Sequence, residues 1–267
     1  MSCSREWIGT SEPYLDNPWV EQNGRITFGL FGGDRAAGAN TNEDAALVRC
    51  ADDGSWEFAV LADAHGSAAS AALVLATINI AMFDIEHALD GPLDDCLNEL
   101  HTSVWAAFSS DAFRSACRNV EGETACLITA RKGPYLWWFS IGDVLLYAFH
   151  PEYASLGQYG VNQRHFFEWL GKVNTFDSAV PTFATGVKRL RGGANMVIMA
   201  TDGVVDCGDG RFNESAELYR CLWPYRTSLE TGVRSLLAWV RSAHGRDSAS
   251  ILGWVVDCSE PAPYPST

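Results

Sequence analysis

The sequence predicts an α+β fold, on three observations. Short β-type runs open the chain, two long helical stretches follow them, and β character then returns with one more helix before the last strand. Sheets built from such a chain pair antiparallel and need one face covered, which the helices supply.

Taken in order, Arg25 to Phe31 alternates like a strand. Ala45 to Cys50 and Trp56 to Leu61 are β-type runs separated by the turn signal Asp52-Asp53-Gly54. Helices are expected over Ser67 to Leu89 and Leu93 to Cys117, joined by Asp90-Gly91-Pro92. In the second, Leu93, Cys96, Leu97, Leu100, Val104 and Phe108 recur at spacings of three and four, an amphipathic stripe. Strands return at Thr124 to Ala130, Tyr135 to Ile141, Val144 to His150 and Met196 to Ala200. A helix over Leu229 to Ala243 and a strand over Ser250 to Val256 complete the order. The first 20 or so residues and the tail Ser259 to Thr267, with three prolines, are expected at the periphery. No Pro- or Ser-rich linker interrupts the chain, so residues 1–267 read as a single domain with a core of about 22–257.

Composition narrows the function. Hydrophobic residues make up 47% and charged residues 19%, too apolar for a disordered chain. The formal charge of −14 repels polyphosphate and anionic lipid, so neither nucleic acid nor a membrane is an expected partner. Ser67 to Phe83 runs 17 residues without a charge, at the short limit for a span, and reads as a buried helix. The eight cysteines include no C-x-x-C pair and sit in apolar runs, as small buried hydrophobes do. Met1 to Asn17 carries Arg5, Glu6, Glu12 and Asp16 and lacks the apolar core of a signal peptide. The expectation is a cytoplasmic protein with eight free thiols.

Several apolar runs lead straight into an acid. Phe58 to Ala62 ends at Asp63, Met196 to Thr201 at Asp202, and Trp137 to Gly142 at Asp143. Asn42-Glu43-Asp44 precedes Ala45 to Cys50, and Arg246-Asp247 precedes the final strand. Singly, each fits a turn or cap. Together, acids at strand ends with few nearby cations are costly unless they hold a metal, and all-oxygen donors favour hard ions, Mg²⁺ or Mn²⁺. Rival motifs fail: Gly29-Leu30-Phe31-Gly32-Gly33 is followed by no Gly-Lys-Ser/Thr, and no serine sits in a Gly-x-Ser-x-Gly context.

The ordered set resembles the metal-dependent serine/threonine protein phosphatases of type 2C. The matching stretches are Asn42-Glu43-Asp44-Ala45, Asp63-Ala64-His65-Gly66, Gly122-Glu123-Thr124-Ala125, Ile141-Gly142-Asp143, Ala200-Thr201-Asp202-Gly203-Val204-Val205-Asp206 and Gly245-Arg246-Asp247-Ser248. The resemblance implies a four-layer α-β-β-α sandwich, two mostly antiparallel sheets flanked by helix pairs, with a binuclear Mg²⁺/Mn²⁺ site at one end. By match of position, Asp63 bridges both ions, the Ala64 carbonyl and Glu43 or Asp44 serve them directly or through water, and Asp202 and Asp247 complete the second. Asp143 and Asp206 match a weaker third ion, and His65 a general acid. Two metals roughly 3.5–4 Å apart acidify a shared water and aim it at phosphorus, and a histidine suits protonation of the leaving serine or threonine oxygen. The chain departs from the pattern twice. Ala64 stands where the family usually has Gly, and Ala39 where many members have a phosphate-binding arginine; nearby Arg35 is either its substitute or a plain surface residue. The aromatic stretch Pro151 to Leu190 is either a flap beside the site or a second packing layer. Two functions follow: a phosphatase acting on phosphorylated proteins, or a catalytically weak, phosphatase-like regulatory binding module.

Overall fold

The structure, a computed structural model, describes residues 3–260. Its strands and helices follow in chain order: β1 (Cys3–Ile8), β2 (Trp19–Asn23), β3 (Ile26–Phe31), β4 (Ala45–Cys50), β5 (Trp56–His65), α1 (Ala69–Ile80), α2 (Met82–Asp90), α3 (Leu93–Ser109) and α4 (Asp111–Cys117). There follow β6 (Glu123–Lys132), β7 (Tyr135–Ile141), β8 (Leu145–Phe149), α5 (Pro151–Ser155), β9 (Leu170–Gly171), β10 (Ala184–Arg189), β11 (Gly193–Ala200), α6 (Asp202–Val205), α7 (Ser215–Leu222), α8 (Leu229–Ser242) and β12 (Ala249–Cys258).

The strands form two antiparallel sheets. The first runs β1-β4-β5-β6-β7-β10, with β9 also paired to β6; the second runs β2-β3-β12-β11-β8. Three hydrophobic clusters define the layers. Phe58, Val60 and Ala62 of β5 pack on Leu75, Ile78, Leu100 and Phe108 of α1 and α3. Ala59 and Leu61, the alternate residues of the same strand, meet Val197, Met199, Leu252 and Trp254 of the second sheet. Ile198 and Ile251 then pack on Leu218, Val233 and Leu237 of α7 and α8. Three interfaces separate four layers, and the α-β-β-α sandwich is the observed architecture. Both sheets are buried on both faces, which is why their strands read as apolar runs more than as alternating ones.

Four expectations change. Ser67 to Leu89 is two helices, bent by 54° at Ala81, and Leu93 to Cys117 is two, broken where Ser110 leaves helical geometry and caps Phe113. No single helix is long and apolar enough to cross a membrane among the described residues. Residues 3–20 are part of the packed sandwich: β1 pairs with β4 along its length, Trp7 is 2% exposed, and β2 extends the second sheet. Their polar alternation hid them, since edge strands bury only part of each face. Of the proline tail, residues 261–267 lie outside the described residues. Finally, Cys3 and Cys50 face each other across β1 and β4 with Cα atoms 5.0 Å apart and are joined as a disulfide, leaving six free cysteines among the described residues, not eight.

Candidate active site

Strand alternation places the acids. In β5, Ala59 and Leu61 face the second sheet, so Asp63 and His65, two and four residues on, face it too. The strand does not stop at Ala62: its ladder with β6 continues through Asp63↔Ala125 to His65↔Glu123. The Asp63 carbonyl accepts from Thr124 Oγ1 at 2.9 Å. His65 Nδ1 lies 3.7 Å from Asp63 Oδ1, its side chain half exposed and its ring against Trp169 at 5.4 Å. Asp44 shares its parity with Ala46 and Val48 of β4 and enters the same layer, fully buried. Thr201 Oγ1, directly after β11 of the second sheet, reaches Asp44 Oδ2 at 3.4 Å and accepts from the Ser250 amide at 2.9 Å. The apolar layer between the sheets therefore turns polar at one end.

The other acids arrive on turns. Asp202 opens α6 directly after β11. Gly203 permits this approach: a Cβ there would sit 2.0 Å from the Ser248 carbonyl oxygen, so only glycine lets α6 abut the start of β12, next to Asp247. Asp143 is buried in the β7–β8 turn. Glu43, Ala64, His65, Arg246, Asp247 and Ser248 line one open cavity of about 500 Å³. Ala64 has a negative φ, so the missing glycine costs no strain there.

Burial raises the carboxyl pKa of Asp44 to about 8, with the Asp247 and Asp202 charges adding to it and the neighbouring hydroxyl groups of Ser250 and Thr201 opposing. Asp63 is raised well above the carboxylate range, by burial first and then by Asp44, Asp202, Asp247 and Asp143. Asp202 rises to about 6 through burial and the charges of Asp247 and Asp143. These causes establish that the five acids share one field. One oxygen of each of Asp44, Asp63, Asp143 and Asp202 is buried without any hydrogen-bond partner. Such orphaned carboxylate oxygens fit a divalent cation, which supplies the missing charge and ligand bonds together. Among the described residues no three His, Cys, Asp or Glu side chains are already drawn into ligand geometry.

Two positions differ from expectation. Arg35 does not line the cavity; it pairs outward with Asp16, Nη1 to Oδ2 at 2.6 Å, and its side chain is 62% exposed. Arg246 is the arginine at the cavity wall instead. The hydrogen bonds Asp34 N to Gly245 O at 2.8 Å and Asp34 to His244 clamp the two loops together. Gly33, which a Cβ would drive to 2.2 Å from the Arg246 carbonyl, completes the clamp. The Arg246 Nε consequently lies 3.8 Å from where a Gly38 Cβ would be, beside Ala39, and it makes no salt bridge among the described residues. The signal was present in the sequence, as an arginine adjoining a candidate ligand. Arg164 gave no such signal. It comes from the unassigned stretch and lies among Asp143, Asp202 and Asp206, where the weaker third ion was expected.

The stretch Pro151 to Leu190 is both things the sequence left open. Arg164 and Trp169 reach the site, while Phe176 and Phe183 pack with Trp105 of α3, and β10 pairs with β7 at the sheet edge.

No protein-family model matches this sequence, and no curated protein matches it. Solved structures do. The Mycobacterium tuberculosis serine/threonine phosphatase PstP superposes with a TM-score of 0.62 at 16% identity, covering 88% of this chain and 98% of that one. Its catalytic domain in complex with two manganese ions gives 0.59 at 18%, covering 87% and 98%. PppA, a key regulatory component of T6SS in Pseudomonas aeruginosa, gives 0.62 at 17%, covering 86% and 96%. At these identities the likeness establishes the fold: this chain has the type 2C phosphatase fold over nearly its whole length.

Proposed function

We propose that this protein is a metal-dependent phosphatase acting on phosphoserine and phosphothreonine in proteins. The observation that carries the reading is the convergence of Asp44, Asp63, Asp143 and Asp202 with one unpartnered, buried oxygen each. Asp63, Asp202 and Asp247, with Glu43, Asp44 and the Ala64 carbonyl, would hold two Mg²⁺ or Mn²⁺ ions. Bound there, such ions supply a water of lowered pKa and neutralise phosphate charge, which this acidic chain cannot do by itself.

The chain's own residues then do the rest. Arg246, without a carboxylate partner among the described residues and lining the cavity, binds phosphate oxygens as the expected arginine would have done from position 39; a guanidinium fork suits that anion. Arg35, committed to Asp16, has no part in it. His65 stands on the strand that carries Asp63 with its ring half exposed to the cavity, placed to give a proton to the departing serine or threonine oxygen. Trp169 lies against that ring at a tilt, 5.4 Å between centroids.

The test is hydrolysis of an aryl phosphate and of phosphoserine peptides by the chelator-stripped protein with and without added Mn²⁺. Activity should depend on the ion, vanish with chelator, and fall on the order of 10²–10³-fold in Asp63→Asn and in Asp202→Asn. Activity that survives chelation excludes the reading. Ion binding without turnover on any phosphopeptide identifies the regulatory binding module in its place.

A further inference from the structure

Arg164 sits where a third cation was expected, and its surroundings hold it there. Its Nη2 lies 2.8 Å from Asp206 Oδ2, 3.4 Å from Asp143 Oδ2 and 3.7 Å from Asp202 Oδ2, and its Nη1 donates to Asp206 Oδ1 at 3.1 Å. The pair with Asp206 is thus two-pronged, the strongest arrangement a guanidinium makes with a carboxylate. Four-fifths of the side chain is buried, and the guanidinium lies over the Phe166 ring at 4.9 Å.

The backbone around it is fixed to the loop that carries Asp143. Two residues before, the Asn162 carboxamide accepts from the Leu146 amide at 2.7 Å and donates to the Val144 carbonyl at 2.8 Å and to Ser140 Oγ at 3.0 Å. One residue after, the His165 amide donates to the Gly142 carbonyl at 3.0 Å. Val161 N to Leu146 O at 2.8 Å adds a further tie. An arginine anchored on both sides to residues 140–146 is a built part of the site, unlike a long side chain that has settled on the nearest acid.

We infer that Arg164 is a resident cation standing in for a third divalent ion, so that the site takes two ions and leaves Asp143 and Asp206 to the guanidinium. A dication and a guanidinium cannot both occupy the space between the same carboxylates, since their charges repel and the same oxygens would serve both. The inference rests on the metal-dependent reading above.

The test counts ions. Metal-free protein is titrated with Mn²⁺ into the millimolar range, and bound ions per chain are read by native mass spectrometry and by electron paramagnetic resonance. The wild type should saturate at two. Arg164→Ala should rise to three, the added ion being the weakest, and Arg164→Lys, which keeps a positive charge, should stay at two. Pairing Arg164→Ala with Asp206→Asn should bring the count back to two. Arg164→Gln, which keeps the bulk of the side chain, takes the place of the alanine form should that fail to fold. Three ions in the wild type overturn the inference, as does a count of two in both neutral variants. No bound ion in the wild type overturns the metal-dependent reading itself, an outcome separate from either.

Discussion

Which arginine meets the phosphate is decided by what each arginine already touches. Arg35 spends its charge on Asp16, from which it also receives a backbone contact, Arg35 N to Asp16 Oδ1 at 2.8 Å. Arg246 has no such partner among the described residues and lines the cavity with His65 and Asp247. A hydrogen bond to a charged group contributes about 1.5–3 kcal/mol, so Arg246→Ala should raise KM for a phosphopeptide about 10–100-fold. Arg35→Ala should leave it within about twofold. Steady-state kinetics on the two variants decides it, and the reverse ranking would restore Arg35 to the site. At this scale the sequence was legible wherever an acid ended an apolar run: Asp63, Asp143 and Asp202 stand at one end of the sandwich as their order suggested. The cations were not legible. Arg35 is near Glu43 along the chain, yet ion pairing turns it outward, while Arg246 approaches Gly38 only because two loops distant in sequence are clamped.

At the scale of elements, the site depends on how closely α6 abuts β12. Gly203 makes this contact with the Ser248 carbonyl, and a methyl group there overlaps backbone that has no rotamer to change. Gly203→Ala should therefore destabilise the fold by about 1–3 kcal/mol in urea unfolding and separate Asp202 from Asp247, so that Mn²⁺ affinity falls with it. Unchanged stability and affinity would mean that the two turns are not coupled. Elements were read well where periodicity extends over a whole face, as in α8 and in α3 as far as Phe108, and strands β4 and β7 have the expected limits. Ends were read less well. Asp63 suggested that β5 stops, because a charged residue is rare in a strand buried on both faces; the ladder with β6 carries it on, and that pairing is a long-range fact. The same holds for β1, whose partner β4 follows more than thirty residues later.

For the molecule as a whole, the acidic end of the sandwich sets a pH dependence with a definite sign. Asp44 near 8, Asp202 near 6 and Asp63 well above the carboxylate range all hold protons in the folded state that an unfolded chain gives up near pH 4. Wherever the native state binds more protons than the unfolded one, stability falls as pH rises. The metal-free protein should thus lose stability between about pH 5 and about pH 8, on the order of 2–4 kcal/mol, which lowers Tm by at least about 4 °C for a chain of this size. The sign is opposite to that of a carboxylate held by an ion pair, such as Asp206, which Arg164 keeps below its usual range. Only the ionised acids bind cations, so saturating Mn²⁺ should add more stability at the higher pH and flatten or invert the slope. Asp63→Asn should flatten the metal-free slope in part, since an amide has no proton to lose. Calorimetric scans of the stripped and loaded protein across that range test all three statements. A metal-free Tm that stays level or climbs with pH would mean that these carboxylates are well solvated, and the crowding on which the proposed chemistry depends would be absent.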